Sequence, residues 1–233
     1  GVLGDAIESG ALFVEYGDGS RQSIVLPDDR VFEDNSPRFV GMPGASRESI
    51  LTVTSYLRAG AALTLIDPGS AGGGAPKVIA ESAPIGTPNR WLNPVGVGDV
   101  DGDGRIEALA VVTPHIGGDL VSYELQGTRL AKDMAISGFS NHAIGSSELA
   151  LSGVSDLDVP PDGIPEVIVP GADRKSLKVV RFTGGQPEIA ARLILAEGRV
   201  AHRLVVHDVD GDGGPELSFG TDKGTVVVWK PRL

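Results

Sequence analysis

The chain has 233 residues, 41% of them apolar, with 33 Gly, 16 Pro and no Cys. That length can bury a large core, and so many turn formers point to an all-β fold with few long helices. A net charge of −11 without any Lys/Arg cluster argues against nucleic acid, the missing cysteines exclude disulfides and thiolate chemistry, and no apolar run is long enough to span a bilayer.

From the N-terminus, ALFVEYGDGSRQSIVLP reads as a hairpin turning at Gly17-Asp18-Gly19. Four cycles of short strands and polar turns follow, each about the length of a β-propeller blade. The first (31–88) places strands at Pro37 to Gly41, Ile50 to Tyr56, Ala61 to Asp67 and Lys77 to Ser82. The second (89–140) places them at Val95 to Val97, Glu107 to Val112, Leu120 to Leu125 and Leu130 to Ile136. The third (141–198) has Leu149 to Val154, Glu166 to Val169, Leu177 to Phe182 and Ile189 to Leu195. The fourth (199–233) has Leu204 to Val206, Glu216 to Phe219 and Thr225 to Trp229, and lacks a last strand. Ser23 to Leu26 of the hairpin (1–30) is expected to supply it, closing one four-bladed propeller domain and covering an open edge, with Leu12 to Tyr16 left as an extra outer strand; five blades are the alternative.

Between the first two strands of a cycle lies an acidic loop. DVDGDGRIE (99–107) returns as DVDGDGGPE (208–216), with acids at positions 1, 3, 5 and 9 and glycine at 4 and 6. Carboxylates this crowded need a cation, and hard oxygen donors without Cys or His favour Ca²⁺ over zinc or copper. An EF-hand would need an acid at position 12 and flanking helices. Position 12 is Ala110 or Phe219, and the flanks VVTP and TVVVW read as strands. The third copy, DLDVPPDGIPE (156–166), carries two extra residues and three prolines, and reads as altered, weak or empty. In the first cycle Gly41, Pro43, Ala45 and Ser49 take the acid positions, so no metal is expected there.

These loops resemble the FG-GAP/VCBS repeat family, propeller repeats of integrin α-subunits and of many bacterial surface or periplasmic proteins, over residues 31 to 233. GVGDVDGDGRIEALAVV and VVHDVDGDGGPELSFG carry the resemblance. It implies Ca²⁺ held by Asp99, Asp101, Asp103 and Glu107 with the carbonyl of Arg105, and by Asp208, Asp210, Asp212 and Glu216 with the carbonyl of Gly214. Asp156, Asp158, Asp162 and Glu166 are the altered counterpart, and Glu stands at the last position where the family often has Asp. Such an ion is expected to staple a turn. Weak sites of this type fill where calcium is millimolar, which points to a periplasmic or secreted protein; the opening GVLGDAIESG has neither region of a signal peptide.

The segments before each first strand are polar: FEDNSPR, TPNRWLNP, FSNHAIG and GRVAHR. In register they would bring Arg90, Trp91, Asn141, His142, His202 and Arg203 to the channel face, where they could bind a carboxylate, a phosphate or a sugar. His115 reads as a turn residue and His207 as support for the loop that follows it. The chain has no nucleophile elbow, phosphate loop or His-Glu-x-x-His pair. The reading is therefore a calcium-stabilised, non-enzymatic module for a protein or glycan partner, with a carbohydrate-binding or carbohydrate-cleaving propeller as the alternative.

Overall fold

Apolar alternation between glycine turns produces strands throughout. A computed structural model describes residues 3, 7–41 and 47–233; among them it has eighteen strands, one 3-10 turn at Pro114–Ile116 and no α-helix. Strands β1 (Ala11–Glu15) and β2 (Arg21–Val25) form a hairpin. Next, β3 (Arg30–Phe32) and β4 (Arg38–Val40) both pair with β5 (Ser49–Tyr56), which leads through β6 (Gly60–Asp67) to β7 (Lys77–Ser82). The second antiparallel meander is β8 (Leu92–Gly98), β9 (Glu107–Val112), β10 (Gly118–Gln126) and β11 (Arg129–Phe139). The third is β12 (Gly153–Ser155), β13 (Glu166–Pro170), β14 (Ser176–Thr183) and β15 (Gln186–Ile194). The fourth has three strands, β16 (Val205–His207), β17 (Glu216–Gly220) and β18 (Val226–Trp229). Of the degenerate first-cycle loop, Pro43 and Ala45 lie outside the described residues.

Each meander buries one face against the next. Phe139, Val111 and Leu120 pack with Val167, Val169 and Val180, and Ile168, Leu177 and Val179 pack with Leu217 and Phe219. The first strands of the second and third meanders approach closely. A Cβ on Gly96 would lie 3.0 Å from Val154 Cγ2, and one on Gly98 would lie 2.9 Å from Pro165 Cγ, so a side chain at either position would crowd the neighbouring meander. A short parallel pairing of Arg129 with Glu81 and Leu130 with Ser82 joins the first two meanders edge to edge into a nine-stranded sheet, a link that strand patterning does not reveal.

The closing role expected of Ser23 to Leu26 is not what these residues perform. β2 pairs with β1, and Leu12, Val14, Ile24 and Leu26 pack on Phe32, Ile50 and Ile66 of the first sheet. Leu26 N–H donates to Gly10 O, and Ser9 bridges to Phe32. The hairpin thus covers the apolar patch nearest in sequence, which costs little loop-closure entropy. Among the described residues β18 pairs with β17 alone. Deleting residues 7–27 should accelerate amide exchange in β3, β5 and β6 and leave β17 and β18 unchanged; acceleration confined to β18 would restore the closing role.

Candidate functional site

Three acidic clusters form at one rim, each between the first and second strands of a meander. One ligand atom from each of Asp99, Asp101 and Glu107 lies within 4.8 Å of the others, and the same holds for Asp156, Asp158 and Glu166 and for Asp208, Asp210 and Asp212. The loops are built alike. Asp99 accepts Gly102 N–H and Gly104 N–H, one on each carboxylate oxygen, both at 2.9 Å. Asp208 does the same with Gly211 and Gly213, at 2.7 and 2.9 Å. In the third copy, Asp156 accepts from Asp158 and from Gly163, so the two-residue insert widens the turn without losing its anchor. The glycines at these turns have positive φ, 76° at Gly102 and 76° at Gly211, which explains their recurrence.

The last acid of each loop opens the second strand and is buried: Glu107 is 2% exposed, Glu166 1% and Glu216 7%. Its Oε2 accepts the N–H of the loop's second residue, from Val100 at 3.1 Å, Leu157 at 2.9 Å and Val209 at 2.8 Å. Glu107 Oε1 has no hydrogen-bond or ion-pair partner among the described residues. Burial, and then the charges of Asp101, Asp103 and Asp99, push the Glu107 carboxyl up to about 7 against the pull of the Val100 amide. Asp103 and Asp162 each accept an N–H two residues ahead, from Arg105 and Ile164.

Cations reach the loops unequally. Arg181 on β14 holds Asp158 at 2.7 Å and Glu166 at 2.7 Å. Lys230 touches Asp212, lies 3.6 Å from Asp210, and makes an ion pair with Glu216 at 2.9 Å that lacks hydrogen-bond geometry, so that Glu216 Oε1 has charge compensation without a hydrogen bond. These contacts, with the Val209 amide first, hold the Glu216 carboxyl below its usual range. In the Asp99 loop, Arg105 turns outward to Glu124 at 2.5 Å and lies 3.9 Å from Asp103. Successive loops also touch. A Cβ on Gly102 would lie 2.7 Å from Ile164 Cδ1, and one on Gly214 would lie 2.8 Å from Val159 Cγ2.

The six polar residues expected at a channel face do not form one exposed group. Trp91, Asn141 and His142 meet in a buried seam, and Arg90, His202 and Arg203 are exposed. Trp91 is 3% exposed and donates Nε1–H to Glu33 O at 3.0 Å, so it presents no face to a sugar. Asn93 and Asn141 clasp each other's backbone, each side-chain amide donating to the other's carbonyl at 3.1 and 3.2 Å. Arg38 donates to Asn93 Oδ1 and pairs with the buried Asp34 at 3.2 Å, whose carboxyl burial pushes up. The physical reason is that buried polar groups recruit partners: Trp91 bonds Glu33, Asn141 bonds Asn93 and Ser152, and His142 bonds Ser146 and His115, while Asn141 Oδ1 finds none among the described residues. The residue missed from sequence is His115. His142 Nε2 lies 2.8 Å from Ser146 O, so it carries the proton, and His142 Nδ1 accepts from His115 Nε2–H at 2.7 Å. His115 also stacks on Trp91, with ring centroids 5.9 Å apart and planes within 5°. It sits on the Pro114–Ile116 turn, which nothing in its local spacing marks as facing residue 142.

Arg90 lines a separate cleft of 460 Å³ with Arg30, Glu33, Ser55, Tyr56 and Asn89. Arg30 lies over the Tyr56 ring at 4.2 Å and donates to its hydroxyl at 2.7 Å. Burial, with Glu81 accepting its hydroxyl proton, pushes Tyr56 up to about 12.

No family model matches the chain, and no curated protein matches it. Solved structures do. The rhamnogalacturonan lyase YesW matches over 97% of this chain and 45% of its own, with a TM-score of 0.52 and 14% identity. That likeness is one of fold, and this chain spans less than half of that protein's length.

Burial, then His142 and Arg174, lower the His115 pKa to about 4 from 6.5. A depressed folded-state pKa gives stability that is present above the unfolded value and lost as pH falls through the folded one. Thermal scans should therefore show His115→Gln losing less stability than the parent between pH 6.5 and about 4; parallel pH profiles would exclude this titration.

Proposed function

We propose that this chain is a calcium-stabilised β-propeller segment of the FG-GAP/VCBS kind, acting as a non-enzymatic interaction or ligand-binding module in a periplasmic or secreted setting. The observation that carries the reading is the convergence of Asp99, Asp101 and buried Glu107, with one glutamate oxygen left without a partner. The donors fit the ion. They are hard oxygens on a glycine-hinged loop whose amides already orient Asp99, so carboxylate faces remain for a divalent cation, and burial of Glu107 favours neutralisation by one. When bound, calcium supplies charge compensation and ties the loop to the first residue of β9. Asp99, Asp101, Asp103 and Glu107 would hold it, with the Arg105 carbonyl. The repeat of antiparallel meanders supports the propeller reading.

Calcium at a hundredfold excess over Kd should raise the melting temperature by about 5–10 °C, on a gain of about 2.7 kcal/mol. Chelator should reverse the shift, and the double variant Asp99→Asn, Asp101→Asn should lack it. A melting temperature indifferent to calcium in the parent chain would overturn the calcium reading.

The second reading, a carbohydrate-binding or carbohydrate-cleaving propeller, is favoured by the fold of the rhamnogalacturonan lyase and by the cleft holding Arg30, Tyr56 and Arg90. Under it, rhamnogalacturonan oligosaccharides should bind saturably, and Arg90→Ala should weaken binding at least about tenfold, the cost of one charged hydrogen bond. Equal binding by parent and variant would remove this cleft from consideration.

A further inference from the structure

The three acidic loops share one anchoring plan, and beyond the loops themselves they differ at the residue across the strand pair from the final glutamate. In the second meander β9 and β10 set Glu107 opposite Glu124. In the third, Val167 pairs with Val180, and the next step outward brings Arg181 to Glu166 at 2.7 Å. In the fourth, Leu217 pairs with Trp229, and the next step brings Lys230 to Glu216 at 2.9 Å. The same structural position therefore carries an acid once and a cation twice.

Its effect on charge is direct. Arg181 contacts both oxygens of Asp158 at 2.8 and 2.7 Å and Glu166 Oε1 at 2.7 Å, filling the point on which the acids converge. Lys230 does so with a single ammonium reaching Asp210, Asp212 and Glu216. In the Asp99 loop the nearest cation, Arg105, is 65% exposed and engaged by Glu124; among the described residues no cation lies within ion-pair distance of Asp99, Asp101 or Glu107. Glu124 thus does two things: it adds no positive charge to the cluster, and it draws the loop's own arginine outward.

Resting on the calcium reading above, we propose that the residue facing the final glutamate decides which loops depend on metal: Glu124 makes the Asp99 loop the high-affinity calcium site, and Arg181 and Lys230 act as built-in cations that exclude calcium from the other two. The planar guanidinium of Arg181, held by two carboxylates, is the harder to displace, and the flexible ammonium of Lys230 is the easier.

The test is calcium titration of the full chain by calorimetry, with melting curves beside it, on the parent, Lys230→Met and Glu124→Lys. The parent should bind one calcium tightly. Lys230→Met should bind two, and Glu124→Lys, which installs an ammonium opposite Glu107, should lose the tight site or weaken it at least about a hundredfold while keeping a cooperative melt. Two or three equal sites in the parent, an unchanged stoichiometry in Lys230→Met, or an intact tight site in a folded Glu124→Lys would each overturn the proposal and leave the calcium reading standing. No binding by any of the three proteins would instead overturn the calcium reading, and this inference with it. Should Glu124→Lys fail to fold, the gain of a site in Lys230→Met decides the matter.

Discussion

Mutual repulsion among carboxylates crowded onto a nine-residue turn is the constraint on which the rim of this protein depends. The loop meets part of it with its own backbone, because the first aspartate uses both oxygens to accept loop amides and so turns its charge into a scaffold. The remainder falls on the final glutamate, which is tied to a core strand and cannot swing into water. Each loop therefore gains from a positive charge at one place, which Arg181 supplies to the third loop and Lys230 to the fourth.

A second constraint operates at the junction of the meanders. Asn93, Asn141, His142 and the Asp34 side chain are buried where sheets meet, with Arg38 half-buried beside them, and each finds hydrogen-bond partners there. Such a network holds the meanders in register more specifically than apolar packing does, because a small shift would strand donors and acceptors together. It also accounts for part of the polarity of the segments that precede the first strands of the first three meanders.

The acidic loops were legible in the sequence because their determinants are local: acid spacing, and glycine where φ is positive. The strands were legible for the same reason, although their partners were not. Alternation in Ser23 to Leu26 announces a strand and says nothing of where it docks; Phe32, Ile50 and Ile66 decide that. Trp91 and His142 looked exposed because polar neighbours surround them in sequence, yet they meet partners far along the chain, Glu33 for Trp91 and His115 for His142. Arg181 and Lys230 lie beyond any motif. They become visible once strand register places them across from Glu166 and Glu216.

The contacts between adjacent loops give the rim a mechanical role beside its electrostatic one. Ile164 abuts Gly102 and Val159 abuts Gly214, and both apolar side chains belong to the lengthened third loop. Val159 comes from the insert and Ile164 from the turn after it, so the lengthened loop touches both of its neighbours. The irregular copy is thus wedged between the regular loops on either side, and the backbone of each neighbour meets it at a glycine.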